Sequence, residues 1–152
     1  MPNTYSQIHI HCVFAVKNRE SLIDQTFKED LYEYITGIVQ QRGHKMLAIG
    51  GTSNHIHIFL GYKINESIPD LMKAVKRSSS IWINQNKKTK FRFEWQEGYG
   101  TFSYSKSHVD AVINYILRQE EHHRKKSFHD EYLKILNDFD VEYDERYVLK
   151  DV

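Results

Sequence analysis

The stretch KMLAIGGTSNHIHIFLGY, residues 45–62, places two short apolar runs on either side of Gly50, Gly51 and a polar tip. That pattern predicts two antiparallel strands joined by a hairpin. Its second run alternates, so Ile56, Ile58 and Leu60 share one face of a strand while His55 and His57 share the other. An earlier segment, SQIHIHCVFA (6–15), has the same period: Ile8, Ile10, Cys12 and Phe14 on one side, Gln7, His9, His11 and Val13 on the other.

Outward from these strands the spacing becomes helical. Thr26 with Glu29 reads as a capping box opening a first helix over about 27–42, with Phe27, Leu31, Tyr34, Ile35 and Ile38 as its apolar side. Ser67 and Asp70 around Pro69 open a second, whose stripe is Ile68, Leu71, Met72, Val75 and Trp82; Lys73, Lys76 and Arg77 fall on a different side. Phe91, Phe93 and Trp95 alternate and predict a fourth strand, followed by a turn at Gly98–Gly100 and the short segment TFSYS. Ser107 with Asp110, and Ser127 with Asp130, predict caps for a third and a fourth helix. The order β-α-β-β-α-β plus two helices is that of an α+β, ferredoxin-like antiparallel sheet with a C-terminal helical extension. Strands one and three are then central neighbours, the first two helices cover one face, and His9, His11, His55 and His57 point to the opposite face.

Length and composition bound the function. A chain of 152 residues is expected to form a single domain over 1–152. The net charge of +1 selects no class of partner, but its distribution is uneven: Lys73, Lys76, Arg77, Lys87, Lys88, Lys90 and Arg92 occur with no acid among them. The lone Cys12 excludes an internal disulfide, and no apolar run approaches the roughly 18 residues of a membrane span. With no basic-then-apolar leader at the N-terminus, a cytoplasmic, nucleoid-associated protein without a membrane partner is expected.

Histidines at i and i+2 of a strand project the same way, about 6–7 Å apart, and can converge on one divalent ion. The pair alone is a weak motif. The third helix adds to it. In VINYILRQEEHH (112–123), Val109, Val112, Ile113 and Ile116 make the buried stripe, and Tyr115 lies off its centre, one turn from Gln119. A tyrosine hydroxyl can attack phosphorus when a metal polarises the phosphoryl oxygens, so two histidines, a glutamine and a tyrosine suffice for such chemistry.

Three motifs, HIHIF (55–59), WQEGYGTFSYS (95–105) and YILRQEEHHRKKSF (115–128), resemble the HUH-type single-tyrosine transposases of small insertion sequences that move as single-stranded DNA. They stand close to the REP-associated tyrosine transposases. The likeness spans roughly residues 5–148. It implies that His55, His57 and Gln119 hold a divalent ion, Mg²⁺ or Mn²⁺, and that Tyr115 is the nucleophile. It further implies a 5′-phosphotyrosine intermediate, a free 3′-hydroxyl, a single-stranded DNA partner with hairpin ends, and a homodimer in which one subunit's tyrosine helix can complete the other's site. His9 and His11 fall outside the ligand motif, so a supporting or structural role is expected of them.

DNA contacts are expected from Lys73, Lys76, Arg77, Arg92 and Arg118, with a solvated helix face as an equal alternative. Trp82, Trp95, Tyr99, Phe102 and Tyr104 are candidates for stacking on unpaired bases. His122 and His123 are open between proton transfer, DNA contact and plain surface. Tyr143, Tyr147 and Leu149 suggest that the acidic tail docks. The alternative function is a non-catalytic or domesticated single-strand-binding protein of the same fold.

Overall fold

The computed structural model describes residues 3–144, 146 and 148. Strands β1 (His9–Ala15), β2 (Lys45–Thr52), β3 (His55–Gly61) and β4 (Gly100–Tyr104) form one antiparallel sheet in the order β2-β3-β1-β4. This is the ferredoxin-like order expected from the sequence. Helices α1 (Lys28–Gln41) and α2 (Ile68–Gln85) cover one face, where Cys12, Phe14, Ile56, Ile58 and Leu60 meet Leu31, Ile35, Leu71 and Val75 in the main core. The predicted cap of α2 forms, with Ser67 Oγ accepting from the Asp70 N–H at 3.2 Å.

The other face is covered too. Helices α3 (Val109–Leu117), α4 (Gln119–His122) and α5 (Phe128–Asp138) pack there on Val13, Phe59 and Phe102 through Val112, Ile116, Phe128 and Ile135. Ser127 caps α5 as predicted, accepting from the Asp130 N–H at 3.1 Å. The sheet is therefore a middle layer, and the histidines of β1 and β3 lie beneath the helical extension.

Several expectations are corrected. The fourth strand is the TFSYS segment beside β1, whereas Phe91–Trp95 reaches the sheet only through one bridge between Val16 and Trp95. Asn84 explains why: its side chain accepts from the Phe93 N–H at 2.7 Å and donates to the Phe93 carbonyl at 3.0 Å, taking the place of a strand partner. Thr26 caps nothing; its N–H binds Asp24 Oδ1, and α1 begins at Lys28. Ser107 lies in a 3-10 turn over Lys106–His108, and α3 starts after it. Gly50 and Gly51 stand inside β2, not in the turn. A Cβ at Gly50 would come within 2.3 Å of the Ile116 carbonyl oxygen, so the missing side chain is what lets α3 lie against the sheet. Of the tail, Tyr147 and Leu149 lie outside the described residues. Among the described residues no helix is long and apolar enough to cross a membrane.

Candidate active site

The alternation of β3 turns His55 and His57 away from the main core, and both are fully enclosed by the helical extension. Gln119 and Tyr115 reach them from above. The predicted single helix through both residues is interrupted at Arg118, whose φ of −105° and ψ of 22° end α3 before α4 begins at Gln119. Gln119 still points inward: its Oε1 lies 2.8 Å from His55 Nε2. The Tyr115 and His57 rings meet edge to face at 5.9 Å. Tyrosine, histidines and glutamine of one chain thus share one site.

The centre of that site is a residue not foreseen, Glu131 of α5. Its Oε1 lies 3.2 Å from His57 Nε2, 3.6 Å from His55 Nε2 and 3.0 Å from His123 Nε2. Its Oε2 accepts from Gln119 Nε2 at 3.0 Å and from the Tyr115 hydroxyl. Burial alone would raise this carboxyl's pKa, but hydrogen bonds from His123 and His57, with the Tyr115 hydroxyl, hold it well below the usual carboxylate range. The same carboxylate, after burial itself, keeps the Tyr115 phenol strongly raised and protonated. A signal for Glu131 was present: Phe128, Glu131 and Ile135 are spaced along the apolar stripe of α5, which puts a carboxylate where a hydrophobe belongs.

Behind the ring nitrogens lies a second layer. His55 Nδ1 is 2.7 Å from Asn54 Oδ1 and its ring stacks on Phe128 at 4.0 Å. His57 Nδ1 is 2.7 Å from His11 Nε2, a diagonal contact across the β1–β3 ladder. Burial, then the neighbouring His57, lower the His11 pKa to about 3, so it is neutral. His9 lies outside this cluster, at the rim of β1 beside Phe59.

This donor set fits a divalent cation. Burial drives the His55 pKa well down and leaves its ring neutral. Its Nδ1 lies 2.7 Å from Asn54 Oδ1 and 3.0 Å from Thr52 Oγ1, and its Nε2 lies 2.8 Å from Gln119 Oε1. The Gln119 amide donates to Glu131, which turns its oxygen toward the imidazoles. Imidazole nitrogens with an amide oxygen and a carboxylate are ligand types that a divalent ion takes. Ligand atoms of His55, His57 and Glu131 all lie within 4.8 Å of one another. The 3.2 and 3.6 Å separations approach the roughly 3 Å expected between adjacent ligands of a small octahedral ion.

The expected DNA contacts are scattered. Lys73 and Arg77 are exposed on α2, across the sheet from Tyr115. Lys76 is instead tied down, donating to the Gln96 and Gly98 carbonyls at 2.7 and 2.8 Å. Arg92 is open beside Glu94, and Arg118 is exposed at the break between α3 and α4. Trp95 packs in the core edge against Phe14 and Phe93 and donates to Ser79 Oγ, and Trp82 stacks on Tyr34. Phe102 is buried, and Tyr104 is half-buried near the site.

Residues 4–119 match the family model described as IS200-like transposases. The chain belongs to that family. Among curated proteins it is similar to the ISDra2 transposase TnpA of Deinococcus radiodurans, 26% identical over 74 residues, which are 49% of this chain and 53% of that protein. The chain thus spans about half the length of this relative. Two solved structures share the fold. One is a candidate transposase from Deinococcus radiodurans R1, with a TM-score of 0.61 and 21% identity, covering 74% of this chain and 90% of that one. The other is a REP-associated tyrosine transposase bound to a REP hairpin, with a TM-score of 0.60 and 15% identity, covering 94% of this chain and 90% of that one. His55, His57, Tyr115 and Gln119 of this IS200-like transposase all fall inside the family match, whereas α5 and its Glu131 lie beyond it.

Proposed function

We propose that this IS200-like transposase cuts and rejoins single-stranded DNA through Tyr115. The observation that carries the reading is the gathering of Tyr115, His55, His57 and Gln119 of one chain around one buried carboxylate. Tyr115 Oη attacks phosphorus: the bond from Oη to phosphorus forms as the bond to the 3′-oxygen breaks, the phenol gives up its proton, the leaving 3′-oxygen takes one up, and the products are a 5′-phosphotyrosine and a free 3′-hydroxyl. The link conserves the bond energy, so the reverse attack by a new 3′-hydroxyl rejoins the strand without a nucleotide cofactor.

His55, His57, Glu131 and Gln119 are the residues that would hold Mg²⁺ or Mn²⁺, since imidazole with carboxylate and amide oxygens suits such ions. When bound, the ion supplies Lewis-acid stabilisation of charge on the phosphoryl group. The two oxygens of Glu131 divide the work: Oε1 faces the imidazoles, and Oε2 holds the Tyr115 proton and aims the phenol. His57 keeps its orientation through His11. The substrate class, a single strand carrying a hairpin, follows the neighbour bound to a REP hairpin. One chain supplies every group of this site, which supports action of Tyr115 within its own protomer, also where that protomer is part of a homodimer.

The test is covalent trapping. Incubation with single strands drawn from the DNA flanking the coding region, with Mg²⁺, should leave the protein attached to the 5′ end of the cut. Tyr115→Phe should abolish the adduct while retaining the native fold. An adduct formed by the Phe variant would remove Tyr115 from its role, and cutting without any adduct would mark a water-using nuclease.

A further inference from the structure

We propose that the cavity beside Tyr115, between α3 and α5, seats the unpaired base next to the phosphate that Tyr115 attacks. The inference rests on the reading of Tyr115 as a nucleophile toward DNA. A phosphodiester carries a nucleoside on each side, so phosphorus within reach of the Tyr115 hydroxyl brings a base to this place.

The cavity measures about 430 Å³, inside the range of small-molecule sites. Its walls suit a flat, weakly polar ring. Tyr104 and His108, with ring centres 6.4 Å apart, form one side, and the tilted pair of Tyr115 and His122, at 4.9 Å, forms another. Ala111 and Ile135 add apolar surface. Aromatic walls stack on any base, because every base has a π face.

Charge agrees with this occupant. Lys126 lines the cavity and has no carboxylate partner among the described residues, which leaves its ammonium for a backbone phosphate. Lys134 lines it too, paired with Asp138 at 2.7 Å. Glu131, the other acid there, is turned to the imidazoles. The exposed cations Lys73 and Arg77 stand on the far side of the sheet, so contacts immediately around the cut phosphate must come from the α3–α5 side. Ala111, exposed at the cavity and small, is the position where added bulk would fill it.

The experiment uses the full chain and a strand that it cuts, made intact or with an abasic residue on either side of the cut phosphate. The abasic residue on one side should slow adduct formation by about tenfold, the scale of a lost base–aromatic stack. Ala111→Phe should slow the intact strand by a similar factor and leave the abasic strand almost unaffected. Thermal unfolding of Ala111→Phe should match that of the wild type, so that any slowing reports the filled cavity and not the fold. As an independent reading, 2-aminopurine at the sensitive position should be quenched on binding to Tyr115→Phe, and Ala111→Phe in that background should remove the quenching. Equal rates for intact and abasic strands, or equal slowing of both by Ala111→Phe, would overturn the cavity's role while adduct formation itself stands. Absence of any adduct with the intact strand would instead overturn the nucleophile and the cavity together.

Discussion

Strand β3 faces two different interiors. Ile56, Ile58 and Leu60 point into the core under α1 and α2, and His55, His57 and Phe59 point under α3–α5, yet all six are completely enclosed. On the first face burial is itself the stabilising event, because apolar surface leaves water. On the second, each enclosed polar atom needs a partner, and His55, His57, Gln119 and Glu131 are partners to one another. The difference teaches that equal burial can mean an apolar core on one side of a strand and a convergent set of polar side chains on the other.

Truncation should separate the faces most clearly. Ile58→Ala should lower unfolding free energy by about 2–5 kcal/mol, the usual cost of an emptied aliphatic position, while Mn²⁺ binding by the folded fraction is retained. His57→Ala should do the opposite in calorimetry, losing Mn²⁺ binding. If Ile58→Ala abolished binding as completely as His57→Ala, the two faces would not be separable.

The cation should then stabilise only through the second face. Mn²⁺ at a hundredfold excess over its dissociation constant should raise the unfolding free energy by about 2.7 kcal/mol, read by thermal or urea unfolding. Glu131→Gln, which keeps the shape but removes the charge at the centre, should lose most of that gain. An undiminished gain would place the ion elsewhere.

A third variant grades the supporting layer. His11 Nε2 contacts His57 Nδ1, and His11 Nδ1 is buried with no hydrogen-bond partner among the described residues. That orphan is tolerable if the ring serves chiefly to hold His57. His11→Leu should weaken Mn²⁺ binding by about 10–100-fold, and His11→Gln, which still offers an amide to His57, should recover much of it. Equal loss in both variants would reduce His11 to a space-filling role.

Much of this architecture was legible because it depends on local alternation and capping. The faces of β1 and β3, and the caps at Ser67 and Ser127, follow from residues a few positions apart. What was not legible depends on distant partners. Phe91–Trp95 has a strand's alternation, but a helix side chain, Asn84, took its backbone bonds. Glu131 stands out in the sequence only as an acid on the apolar stripe of α5; the fold alone shows that this stripe lies over His57. Helical spacing and the resemblance both pointed to Tyr115 and Gln119, yet the break at Arg118 between them has no marker in the sequence, since neither glycine nor proline stands there.

The smallest effect belongs to a polar cluster that needs no ion and therefore serves as the control. At the far end of β2 and β3, His44 Nδ1 accepts from the Lys63 N–H at 2.9 Å, leaving its Nε2 proton for Glu66 Oε1 at 2.8 Å, and Arg42 Nε donates to the same carboxylate at 3.0 Å. Each of these contacts pairs a donor with an acceptor. The Arg42 hydrogen bonds, helped by His44 and opposed by burial, hold the Glu66 carboxyl below its ordinary value. Its contribution is thus present above the unfolded value of about 4.3 and disappears as pH falls through the lower folded value. Glu66→Gln should cost about 0.5–1 kcal/mol at neutral pH, a surface-pair magnitude, and the difference from wild type should close in acid. The cost should be the same with and without Mn²⁺. A metal-dependent cost at Glu66 would show that the two polar clusters are coupled through β3, and the contrast between them would fail.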